Sequence, residues 1–135
     1  MKIQLIRADI TSMKVDAMVS PSASDEDTTS GGNLLCKFVI HAAVPAWGSA
    51  EAEERLRRST ERALERAEEL ALASIAIPPM WLNPPEALER GARILLTAAL
   101  AYAPRARSLQ RVVFMAIGED VHRTFERVRQ EVDPS

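Results

Sequence analysis

Three short apolar runs, separated by stretches of helical period, constrain the fold of this chain more than any other feature. They are Cys36-Lys37-Phe38-Val39-Ile40-His41-Ala42, Ser74-Ile75-Ala76-Ile77 and Val112-Val113-Phe114-Met115-Ala116-Ile117. Each is short enough for a strand; the first lacks the clean alternation of a strand wetted on one face and so reads as buried on both, the second reads as another buried strand and the third as a strand. Between the first two, the spacing predicts a helix over Ser49 to Leu72, with Ala52, Leu56, Ala63, Ala67 and Leu70 on one stripe. Glu51, Glu53 and Glu54 in its first turn suit the positive end of the helix dipole. A second helix is expected to start with Asn83 as N-cap, Pro84 at the first helical position and Glu86 reaching back, and to end before Pro104. Its apolar face is Leu88, Ala92, Leu95, Leu96 and Ala99; Val121, Phe125 and Val128 mark a last helix. Strand and helix therefore alternate from Cys36 onward. The fold class this predicts is α/β, a three-layer α/β/α arrangement with helices on both faces of a mixed, mostly parallel central sheet joined by right-handed crossovers.

Two further strands are expected ahead of this block, Lys2 to Ile6 and Val15 to Val19, the second stopped by Ser20-Pro21. From Ser20 to Asn33 the chain is rich in Ser, Thr, Asp and Gly with no large apolar residue, which reads as a loop. In sheets of this kind ligands bind beyond the carboxyl ends of the strands. Those ends fall near Asp9, Ser20 to Ser24, Ala43 to Gly48, Pro79 to Asn83 and Ile117 to Asp120.

The length of 135 residues is that of a single domain, and a 47% hydrophobic fraction supplies an ordinary core. With Lys+Arg 17 against Asp+Glu 19 the formal net charge is -2, which excludes a basic nucleic-acid-binding domain of the obvious kind. The single cysteine, Cys36, forms no internal disulfide, which fits a reducing compartment. No apolar run reaches the roughly 18 residues of a membrane span, and Met1 to Asp9 lacks signal-peptide architecture. A cytoplasmic location without membrane association is the expectation.

No phosphate loop, dinucleotide glycine motif or metal-ligand spacing is present, so no metal and no cofactor are expected. His41, inside an apolar strand, reads as structural; His122, in an Arg-rich helix, reads as solvated. Cys36 reads as a small core side chain. Asp9, at the end of the first strand, is either a turn residue or a carboxylate that accepts a hydrogen bond from a ligand amine. Gly31-Gly32-Asn33 is either a flexible stretch or a nest of N–H groups for an anion. Trp81 is either a stacking lid over a base or a residue packing its loop onto its own sheet or a second subunit.

Taken together, several segments resemble the macro domain, the ADP-ribose-binding α/β/α module. They are Asp9-Ile10-Thr11, Val15-Asp16-Ala17-Met18-Val19, Phe38-Val39-Ile40-His41 with Pro45 and Trp47, Ser74-Ile75-Ala76-Ile77-Pro78 and Val112-Val113-Phe114. The resemblance covers nearly all of residues 1–135 apart from Ser24 to Leu35, and makes them one macro-like domain with a shortened loop at about 20–35. It implies that Asp9 accepts a hydrogen bond from an adenine amino group and that the Ile10 backbone lines the adenine pocket. The partner it implies is ADP-ribose or another adenine nucleotide.

Other positions depart from the family pattern. Ser20-Pro21-Ser22-Ala23 stands where the family has Asn-Ala-Ala-Asn, so the carboxamide serving the distal ribose is replaced by Ala23. The family's glycine-rich loop, helix and further strand are replaced by Ser24 to Leu35, which leaves Gly31 and Gly32 as its remnant. The phosphate loop is replaced by Pro79-Met80-Trp81-Leu82-Asn83, which has no glycine, and Ile117 takes the place of the stacking aromatic. The function expected is that of a divergent macro-like domain without ADP-ribose hydrolysis, serving as a structural or interaction module or a weak nucleotide binder. The alternative is a working macro domain that binds or hydrolyses ADP-ribose derivatives; an unrelated metabolic enzyme on the same architecture is a distant third. A homo-oligomer is expected, because a lost helix and strand would leave an edge or an apolar patch uncovered.

Overall fold

The computed structural model describes residues 1–7, 14–22, 28–30 and 36–134. In chain order they form β1 (Lys2–Ile6), β2 (Ala17–Ser22), β3 (Thr28–Ser30), β4 (Phe38–Ala43), α1 (Ala50–Glu69), β5 (Ser74–Ile77), α2 (Pro85–Tyr102), β6 (Arg111–Met115) and α3 (Glu119–Val132). The strands make one sheet in the order β1-β6-β5-β2-β4-β3. All pairings are parallel except that of β3, which runs antiparallel to β4 at the edge. The α/β class and the mixed, mostly parallel sheet are as the alternation predicts.

The placement of the helices is more specific than the alternation alone could give. Steps from β4 to β5 and from β5 to β6 run in the same direction across the sheet. Right-handed crossovers in one direction lay their helices on one face. Leu64 of α1, Leu88 and Leu95 of α2, and Phe125 and Val128 of α3 accordingly share one core with Val19, Ile40, Ile75, Ile77, Val112 and Phe114. The Phe114 and Phe125 rings lie 6.2 Å apart. Among the described residues, then, all three helices cover one face rather than two. On the other face Val15, Met18, Ala76, Val113 and Met115 form a smaller buried cluster.

Local chemistry corrects several boundaries. Ser20-Pro21 does not stop β2, which pairs with β4 through Pro21↔Ala42 and Ser22↔Ala43. A proline is tolerated there because β2 pairs with β5 only at Ala17↔Ile75 and Met18↔Ala76, so no ladder on the β5 side needs its missing N–H. The stretch expected to be loop, about 20–35, contains the end of β2 and all of β3, whose polar residues suit a short edge strand. Helix α1 begins where expected, with Ser49 Oγ accepting the Ala52 N–H at 3.0 Å. It ends earlier than expected, because Ala71 turns to φ 56. The Leu72 N–H then bonds the Ala67 carbonyl at 3.0 Å and the Ala71 N–H bonds that of Glu68 at 2.9 Å, the two bonds of a Schellman motif. Asn83 is not the N-cap of α2. Pro84 holds that position without a side-chain cap, and its carbonyl accepts from Ala87 and Leu88 at 2.9 and 3.1 Å.

Candidate ligand face at the carboxyl ends of the strands

The register opens a crevice between β2 and β5. Beyond Met18, β2 continues beside β4 alone, while β5 stays with β6 as far as Ile77↔Phe114. Chain connections also diverge here, with β2 leading toward β3 and β4 and β5 leading toward β6. A crevice at such a switch point is where open α/β sheets hold ligands. Its described walls are the segments after β4 (44–49), after β5 (78–84) and after β6 (116–118).

The wall after β5 is fixed to the wall after β4. Trp81 is 6% exposed, and its indole Nε1 donates to the Pro45 carbonyl at 2.8 Å. Its ring packs with Ala52 and Leu56 of α1 and Ala87 of α2. Of the roles the sequence allowed, Trp81 takes that of an anchor of its loop onto its own domain. Four of the eight residues from Pro78 to Pro85 are prolines and supply no N–H. All three helix amino ends point toward this face, where dipoles favour an anion. Each end, however, carries its own acids in the first turn: Glu51 and Glu53 on α1, Glu86 on α2, Glu119 and Asp120 on α3. Arg7, following β1, bonds Glu119 at 2.6 Å.

The sequence candidates distribute unevenly. Asp9, Ile10, Gly31 and Gly32 lie outside the described residues, as does Ala23. His41 sits in β4 opposite Ser20 and is partly buried. His122 is not solvated: its side chain is 12% exposed, with Nδ1 2.9 Å from a Glu126 carboxylate oxygen. That places it away from the crevice, beside Leu5 and Arg129. Cys36 is partly buried, and burial pushes its thiol pKa up, opposite to what a nucleophile needs. Among the described residues no group of His, Cys, Asp and Glu could hold a metal, and no helix is long and apolar enough to cross a membrane. Sequence reasoning missed the Pro45 carbonyl as the partner of Trp81, a long-range contact with no local signal.

A one-sided helical layer on a six-stranded mixed sheet, with β2 and β5 diverging beyond Met18, defines an open-sheet α/β domain. The macro domain family model matches residues 24–82. The macro domain of ganglioside induced differentiation associated protein 2 superposes with a TM-score of 0.85 at 19% identity, over 98% of this chain and 85% of that one. A Trypanosoma brucei macrodomain in complex with ADP-ribose gives 0.81 at 18% identity, over 93% of this chain and 68% of that one. The fold of this chain is that of the macro domain, and residues 24–82 also match the sequence model of that family. In sequence the chain is 37% identical over 108 residues to an uncharacterized protein of Pyrobaculum aerophilum, covering 77% of this chain and 57% of that protein. It thus spans just over half the length of that relative.

Proposed function

We propose that residues 1–135 act as one macro-like unit that retains the ligand face but binds adenine nucleotides weakly and does not hydrolyse ADP-ribosyl bonds. The observation that carries this reading is the loop after β5. It is rich in prolines and stitched by Trp81 to the Pro45 carbonyl. A diphosphate needs several converging N–H donors or cations. This wall supplies few, and Glu51, Glu86 and Asp120, the first-turn acids without an ion-pair partner among the described residues, oppose an anion. Each missing hydrogen bond to a charged group weakens binding by about 1.5–3 kcal/mol, so three losses amount to several powers of ten in Kd.

Nucleotide binding as such is supported by the structural neighbours, one of which was solved with ADP-ribose. Asp9 is proposed to receive the adenine amine with Ile10 beside it, and Gly31-Gly32 to be what remains of the anion loop. Ala23, which has no carboxamide, supports the loss of hydrolysis. Calorimetric titration with ADP-ribose tests the reading, and weak or undetectable heat is expected. Sub-micromolar binding that disappears in Asp9→Ala would establish a working macro domain instead.

A further inference from the structure

The large apolar side chains that the described residues leave exposed are Trp47 at 37%, Leu82 at 53% and Ile117 at 55%. All three lie on the ligand face. Trp47 follows β4, Leu82 follows β5 and Ile117 follows β6. Scattered apolar residues need no explanation, but three on the described walls of one crevice make a patch. From β6 to β4 the sheet advances three strand positions, so the patch spans on the order of 14 Å, the reach of about four residues of extended chain.

Charge selects what lies there. Glu51, Glu86 and Asp120 sit in the first turns beside these loops, and none has an ion-pair partner among the described residues. Arg7, after β1, is held by Glu119, and Arg90 of α2 is held by Glu53. The first-turn charges left unpaired beside the apolar patch are therefore all acidic. An apolar surface rimmed by one sign of charge fits a partner that is apolar with the opposite sign.

We infer that the ligand face docks a short peptide segment of another protein that alternates apolar and basic side chains. This rests on the reading above, that the face is not committed to a tightly held diphosphate. The apolar side chains would cover Leu82, Ile117 and Trp47, and the cationic ones would meet Glu86, Asp120 and Glu51.

Fluorescence anisotropy of a labelled alternating leucine–arginine peptide of about six residues tests it, with the leucine–glutamate counterpart as control. The arginine peptide is expected to bind with a micromolar Kd, and the glutamate peptide is expected not to bind. Leu82→Ser with Ile117→Ser should weaken binding about tenfold or more, as expected for losing buried contacts with exposed residues that do not support the core. Glu86→Gln with Asp120→Asn should weaken it several-fold at low salt and much less at high salt. Absence of binding by the arginine peptide, or binding indifferent to the Leu82 and Ile117 changes, overturns the inference. So does concentration-dependent self-association abolished by those changes, because the occupant would then be a second copy. A parallel ADP-ribose titration keeps the two readings apart: tight ADP-ribose binding with no peptide binding defeats both. Weak ADP-ribose binding with no peptide binding defeats only this one.

Discussion

Glu68 lies near the end of α1, far from the ligand face, and holds the loop that leads into β6. Its carboxylate accepts the backbone N–H of Arg107 at 2.9 Å and the Ser108 hydroxyl at 2.7 Å, as well as the Ser108 N–H. Its partial burial by itself would raise the pKa. The Ser108 and Arg107 N–H groups and the Ser108 hydroxyl outweigh that and hold it at about 2. Measured against an ordinary glutamate near 4.3, the full linkage would be about 3 kcal/mol; the partial exposure of the carboxylate reduces this to roughly 1–2 kcal/mol. Glu68→Gln keeps the shape and one acceptor but loses the charge. At pH 7 it should therefore lower stability by about that amount, and Tm by roughly 3–8 °C. Because the folded pKa is depressed, the contribution is whole above the unfolded value and is lost as pH falls through the folded one. Near pH 3 about half or less of the gap should remain. Urea unfolding of both proteins between pH 7 and 3 reads this directly. A gap of constant size across that range, or none at pH 7, would refute the electrostatic account of the clasp.

Ala71 holds a left-handed conformation, φ 56, that favours glycine, so Ala71→Gly should raise stability by about 0.5–1 kcal/mol, seen as a higher urea midpoint with an unchanged slope. Trp81→Phe keeps most of the ring packing but removes the donor to the Pro45 carbonyl. It should cost about 1–2 kcal/mol in the same assay, with an unchanged midpoint counting against the anchor. We also propose that the chain is a homodimer or larger assembly, since β1 ends the sheet on one side and β3, Thr28–Ser30, is a short strand on the other. Light scattering should then give at least twice the chain mass of 14.9 kDa at high micromolar protein, and a monomer mass would count against it.

The elements legible in the sequence are those whose signal is local and periodic. Ser74 to Ile77 is buried at every position, as an unbroken apolar run implies. Ser49 caps α1 because a small hydroxyl there has an N–H within reach three residues on. What the sequence hid depends on partners far along the chain. Asp16 reads as one more residue of the second strand. Its carboxylate instead bonds the Ala73 and Ser74 N–H groups at 2.8 and 3.3 Å, and its own N–H donates to Ser74 Oγ at 2.9 Å. Pro21 reads as a strand breaker, and only the strand order explains why it is not one. Ile117 reads as the last residue of an apolar run, yet β6 ends at Met115 and leaves it exposed. Residue type alone left Asp9 and Gly31-Gly32 with a binding and an ordinary reading each, because a carboxylate or a glycine pair in a polar stretch has too many common uses; the adenine roles of Asp9 and Ile10 came only from the resemblance.

Trp81 ties the loop after β5 into the body of the fold. The main core is built from β-strands and from the inner faces of α1, α2 and α3, so most substitutions beyond the strand ends leave it untouched. Trp81 is the exception, because it reaches from the loop after β5 into a separate cluster between α1 and α2 and ties itself to the loop after β4. An indole committed in this way is withdrawn from the ligand face, and the backbone on either side of it is held in place. Supplying glycine at Pro78 or Pro79 would therefore add N–H donors without letting the loop move around a diphosphate. The residues that would need to change together are the prolines and the tryptophan, and changing the tryptophan opens a cavity between the two helices at a cost of about 3–5 kcal/mol. That coupling separates this loop from one merely missing a few contacts.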